Sequence, residues 1–213
     1  MSAAPQPLSP AEARILGVLM EKSKTTPDVY PLTVNALTAG CNQKTSREPV
    51  MNLSEGEVQA TLEALRGRTL VVESYGASGR VLRYAHNFAK VYRVPSAAAD
   101  LLAVLMLRGP QTASELRANC ERLHHFADAS AVEGYLDELA SRNEGALAVK
   151  LPRQPGAREQ RWAHLLCGAP QIETPRAPVS AEAAPDLSAL EARVAQLEQE
   201  VAALRALLAG RAD

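Results

Sequence analysis

Ala13 to Met20 reads ARILGVLM and Ala99 to Met106 reads ADLLAVLM, identical at five of eight positions. A repeat at this spacing outweighs any local reading, because it fixes how many structural units the chain contains. Working outward, Leu32 to Cys41 matches Gln111 to Cys120 at Thr33/Thr112, Leu37/Leu116 and Cys41/Cys120. Val58, Leu62, Leu65 and Arg68 match Val132, Leu136, Leu139 and Arg142, and RYAH (Arg83 to His86) answers RWAH (Arg161 to His164). The segments recur in the same order, so the elements are kept while the loops change length.

Each copy reads as three helices and two strands. Ser9-Pro10-Ala11-Glu12 is a capping box with Pro at the first helical position, and Ala11, Ile15, Val18 and Leu19 follow as an apolar stripe. A second helix is predicted from about Pro31 to Gly40, with the glycine as a left-handed stop. Ser54 to Glu57 caps a third that buries Val58, Leu62 and Leu65 and ends near Gly67. Leu70 to Ser74 and Arg80 to Tyr84 flank Gly76 to Gly79 as a hairpin. In the second copy Thr112 to Glu115 is a capping box, Ala131 to Arg142 a helix, and Ala146 to Leu151 with Arg161 to Leu166 a hairpin.

Three helices followed by a hairpin is the winged-helix order, a helix-turn-helix variant. The expected fold is mainly α with small β-hairpins: winged-helix domains at 1–94 and 95–167, a Pro/Ala-rich linker at 168–186 and a coiled-coil tail at 187–213. Each copy has its own apolar stripes, which predicts separately cored modules.

The strings TTPDVYPLTVNAL (Thr25 to Leu37) and CNQKTSREPVMNLSE (Cys41 to Glu55) resemble the YceH-type family of bacterial proteins over roughly Leu8 to Cys167. The resemblance implies a tandem winged-helix fold. It transfers no reaction, substrate or catalytic residue.

A net charge of −1 conceals a gradient of +3 over residues 1–93, −1 over 94–168 and −3 over 169–213. Winged helices suggest double-stranded DNA, read by Arg, Lys, Asn and Gln on base edges and phosphates. The nucleic-acid candidates are Asn42, Gln43, Lys44 and Arg47 in the loop before the third helix, with Arg66, Arg68, Arg80 and Arg83 around the first wing. The third helices argue the other way, since they present Glu55, Glu57, Glu63, Glu133, Asp137 and Glu138. The first reading is therefore a non-enzymatic, DNA-associated or transcription-regulatory protein. Its alternative is a scaffold whose winged helices dock a partner protein.

No P-loop, HExxH, GxSxG or Rossmann fingerprint is present, so no enzyme and no cofactor are expected. Cys120/His124 and His164/Cys167 have ligand-like spacing, yet Cys120 repeats Cys41 and His164 repeats His86, so no metal site is expected and the three cysteines read as reduced, buried thiols. No stretch reads as a signal peptide or a membrane span, which predicts a cytoplasmic protein without membrane contact.

Leu187, Val194, Val201 and Leu208 fall at a, and Leu190, Leu197 and Leu204 at d, of a three-heptad seam. Val at a with Leu at d favours two parallel strands, and Arg193 and Glu200 at g face Glu198 and Arg205 at e. The expected outcome is a concentration-dependent homodimer. Light scattering should show it become monomeric when residues 187–213 are deleted or Leu197 and Leu204 are changed to Asp.

Overall fold

The computed structural model describes residues 6–75, 79, 81–170, 193–199 and 201. In the first copy α1 (Pro10–Thr25), α2 (Val34–Cys41) and α3 (Glu55–Gly67) precede β1 (Val71–Tyr75) and β2 (Leu82–His86). A short helix, α4 (Phe88–Tyr92), leads to the second copy, in which α5 (Ser96–Arg108), α6 (Ala113–Cys120) and α7 (Ala129–Ala140) precede β3 (Ala148–Lys150) and β4 (Trp162–His164). The described fold is mainly helical with two small antiparallel sheets, an order compatible with the winged helix.

Local signals explain most of these boundaries. Ser9, Ser54 and Thr112 each accept from the backbone N–H of the Glu three residues on, whose carboxylate returns to the cap, and Pro10 opens α1. The stop at Gly40 is corrected, while α3 ends at Gly67 as expected. Gly40 lies inside α2, where an added Cβ would stand 2.7 Å from Val18 Cγ1, so close packing and not a left-handed turn requires glycine there. At the end of α3 the left-handed residue is Thr69, with φ 59°, two positions beyond Gly67.

The sheets repeat as well. β1 and β2 pair from Val71 with His86 to Tyr75 with Leu82, and β3 and β4 pair from Ala148 with His164 to Lys150 with Trp162. A third chain segment bridges each sheet through reciprocal backbone bonds. Leu32 and Tyr84 exchange bonds of 3.1 and 2.8 Å, and Gln111 and Trp162 exchange bonds of 3.1 and 2.7 Å.

Separately cored modules are not what forms. α1 packs along α5, and every residue from Glu12 to Met20 and from Ala97 to Leu107 is buried. Helices covered on all sides belong to one shared core, and Met1–Gln171 is a single compact unit. The expected one-sided stripe in α1 is therefore corrected: its remaining faces are taken up by the other copy. Gly17 marks the closest approach, because a Cβ there would lie 2.9 Å from Leu107 Cγ and 3.0 Å from its Cδ2. The apolar periodicity does not announce α4; Phe88 and Tyr92, one turn apart with ring centroids 4.5 Å apart, bury it against the core.

Ile172–Asp213 forms a second unit. Within it residues 193–199 are helical, and Val194, Leu197 and Val201 are exposed. Leu187, Leu190, Leu204 and Leu208 lie outside the described residues.

Two glycine substitutions test the shared core. Gly17→Val should destabilise by about 1–3 kcal/mol, the cost of overpacking a filled site. At Gly134 in α7 an added Cβ would meet nothing within 4 Å, so Gly134→Ala should stabilise by about 0.5–1 kcal/mol. Urea midpoints of the full chain measure both.

Candidate nucleic-acid and partner surfaces

The loop between α2 and α3 is held by its own polar side chains. Asn42 Nδ2 donates to Leu53 O at 2.7 Å, and its Oδ1 accepts from Leu53 N at 2.8 Å, so both ends of the amide staple the loop shut. Arg47 is 4% exposed. Its Nε donates to Gly40 O, Nη1 to Ser46 O and Glu21 Oε1, and Nη2 to Glu21 Oε2 and Gln43 Oε1. All five donors of the guanidinium are thereby used inside the protein. Burial by itself raises the Glu21 carboxyl pKa, but the hydrogen bonds and charges of Arg47 and, to a lesser degree, Lys22 together outweigh it and hold the group below its ordinary value.

Arg47 as a nucleic-acid contact is accordingly corrected: it is a buried clamp between α1, the end of α2 and the loop. Asn42 is likewise committed to the backbone, and Gln43 spends its carbonyl oxygen on Arg47. Lys44 is exposed on the crest of the loop.

The arginines around the β1–β2 hairpin have internal partners too. Arg66 pairs with Glu73 at 3.0 Å. Arg68 pairs with Glu12 at 3.2 Å and donates to the carbonyls of Gln6 and Pro7. Arg83 donates to Pro31 O at 2.8 Å and Val29 O at 3.1 Å. Arg80 lies outside the described residues.

The second copy shows that two of these grips are architectural. Arg142, the repeat of Arg68, donates to Tyr92 O and Arg93 O, which follow Gln6 and Pro7 at the same 86-residue offset as the first helices. Arg161, the repeat of Arg83, donates to Pro110 O as Arg83 does to Pro31 O. Each pair ties the chain entering a helix to the hairpin or to the end of the third helix.

α3 and the described part of the adjacent hairpin present a surface that is mainly acidic and apolar, with Arg66 exposed among these side chains. α3 exposes Glu55, Glu57 and Glu63, and the adjacent hairpin exposes Val72, Tyr75 and Val81, with Tyr75 72% accessible. Sequence reasoning missed this patch. The available signal was a tyrosine and a valine beside the Gly76 to Gly79 turn, positions where a hairpin tip has no core to enter.

The cysteines divide. Cys41 and Cys120 are buried, and desolvation pushes each thiol up to about 12, which makes them inert. Cys167 is exposed, correcting the expectation that all three are buried. His124 packs against Phe126, ring centroids 4.6 Å apart, and burial holds His164 at about 4, so its ring is neutral near pH 7. Among the described residues no helix is long and apolar enough to cross a membrane.

The repeat, the helix order and the loop sequence define a class of protein before any relative is considered. Residues 8–157 match the family model described as "Protein of unknown function, DUF480". The chain is 58% identical over 205 residues to a UPF0502 protein of Dechloromonas aromatica, covering 96% of this chain and 95% of that one. A UPF0502 protein of Acidovorax is 56% identical over 208 residues, with 94% and 91% covered, and one of Delftia acidovorans is 55% identical over 206, with 95% and 90% covered. The chain belongs to this DUF480/UPF0502 family.

Arg47→Ala should destabilise the protein by about 3–5 kcal/mol, because it leaves the Gly40 and Ser46 carbonyls without this donor and the Glu21 carboxylate with Lys22 alone. Lys44→Ala should leave the urea midpoint within about 0.5 kcal/mol of the parent.

Proposed function

We propose that the chain is a non-enzymatic tandem winged-helix protein whose first copy docks a partner protein across α3 and the β1–β2 wing. The observation that carries this reading is the fate of the basic side chains. Arg47, Arg66, Arg68 and Arg83 are engaged with carboxylates and carbonyls of the chain itself. A phosphate backbone needs cations that are free to meet it, and it is repelled by Glu55, Glu57 and Glu63 on the helix that would enter the groove. An exposed Val72, Tyr75 and Val81 beside those carboxylates suits a partner segment carrying Lys or Arg next to apolar side chains. Dimerisation through the 187–213 heptads belongs to the same proposal, since two linked copies would bind such a partner with greater avidity.

Capture of partners from native lysate, with and without nuclease, separates this reading from DNA association. Nuclease-insensitive capture should fall about tenfold in the Val72→Asp, Tyr75→Asp double variant and persist in Lys44→Ala, Arg80→Ala. Capture that vanishes with nuclease would overturn the proposal. So would tight binding of a labelled duplex that collapses with salt and depends on Lys44 and Arg80.

A further inference from the structure

A cavity of about 290 Å³ opens at the seam between the two copies. Its walls include Pro49 and Met51 from the α2–α3 loop, Met106 and Pro110 around the end of α5, and Cys167 beyond β4, with Arg14 of α1 among them. The walls are predominantly apolar, and the size is at the lower end of the ~300–1,000 Å³ typical of ligand sites.

Arg14 is the unusual member. It is 1% exposed, and it donates to Cys41 O at 2.9 Å and Pro49 O at 2.6 Å, while Nε has no hydrogen-bond partner among the described residues. No carboxylate forms an ion pair with it among the described residues. Glu48 also lines the cavity, but it is solvent-exposed and beyond ion-pair distance. His164 and Cys167 add no charge near pH 7: burial lowers the one to about 4 and raises the other.

The internal repeat supplies a comparison within the same molecule. Asp100 occupies in α5 the position that Arg14 occupies in α1, and it too is buried, at 3% exposure. Its counter-charge is present: Lys24, at the end of the opposing helix, lies 3.7 Å from Asp100 Oδ2 and donates to Ser96 Oγ at 3.2 Å. In the second copy α5 stops at Arg108, short of the place that Lys24 holds on α1, and Gly109 and Pro110 line the cavity there instead. After β2, α4 adds Phe88 and Tyr92 to the core; after β4 the corresponding stretch runs through Cys167, Gly168, Ala169 and Pro170 at the cavity wall. One seam thus holds a buried charge with its counter-ion, and the other a buried charge beside a space.

We propose that this cavity binds a small carboxylate with an apolar body, whose anion supplies the counter-charge to Arg14. An anion in a low-dielectric site gains far more from a guanidinium than it would in water, and the apolar walls select against inorganic ions. Binding would join residues of both copies, from α1 and the α2–α3 loop to α5 and the end of β4.

Methyl NMR of the full chain labelled at methionine tests this with octanoate and octanamide as probes. Met51 and Met106 line the cavity, while Met20, the repeat of Met106, is buried at the other seam and serves as internal control. Octanoate should shift Met51 and Met106 saturably and leave Met20 unmoved, with octanamide at least about tenfold weaker. Octanoate should also slow alkylation of the exposed Cys167 severalfold. Arg14→Met should abolish the preference for the acid; should that variant not fold, the comparison of acid with amide on the parent protein decides. Unmoved Met51 and Met106, equal affinity for the two probes, or a Met20 signal that moves with the others would overturn the proposal.

Discussion

α1 and α5 can approach as closely as they do because Gly17 has no side chain to meet Leu107. The repeat places Ala103 opposite in sequence terms, so the two first helices cross with small residues at equivalent positions. Much of the remaining architecture follows from that contact. Each helix loses its solvent face to the other, which converts two modules with their own stripes into one core. Backbone ties then cross the seam, Leu8 N to Leu166 O and Glu48 N to Leu107 O, both at 2.7 Å. These bonds are worth little singly, but in a dry seam each satisfies groups that would be costly to leave unpaired.

Total burial of both helices also dictates what happens to the polar residues they carry. Arg14 and Asp100 share one position of the repeat and therefore share one problem, a charge with no access to water. They are not each other's solution. Arg14 turns to the carbonyl of Cys41, where the last turn of α2 concentrates partial negative charge, and to Pro49 O. Asp100 is met by Lys24 from across the seam. A duplicated element has thus kept its backbone role while its buried charge has been reversed, and the surroundings of the two sites have diverged accordingly.

What could be read from the residues alone was whatever is local or repeated. Capping boxes at Ser9, Ser54 and Thr112 announce helix starts within four residues, and the matched segments reveal two copies whatever their tertiary packing. Mutual burial was not legible, because a helix covered on two sides needs no different local signal from one covered on one side. The sole hint was the density of ARILGVLM and ADLLAVLM, with one charged residue in each octet. α4 escaped for a similar reason: five residues carry too little periodicity, and Phe88 and Tyr92 are held by the core more than by helical propensity. Charge counting could not tell which of the candidate cations reach solvent. A side chain such as Arg68 contributes +1 to a tally whether it faces solvent or grips Gln6 and Pro7, and only coordinates distinguish these.

The two hairpins, equivalent in the repeat, differ in what they leave outside. β3 and β4 are three residues each, and Lys150 lies 5.2 Å from the Trp162 ring centroid while pairing with Glu133, so that hairpin is tied down onto α7. β1 and β2 are five residues each and extend two pairs past their bridge to Leu32, carrying Tyr75 and the following Val81 into solvent. Apolar area retained on a longer strand pair costs stability unless something covers it, whereas the shorter pair has given that area up. The copy that holds the CNQK loop is therefore also the copy whose hairpin leaves apolar side chains in solvent, and the second copy completes the core on which that hairpin stands.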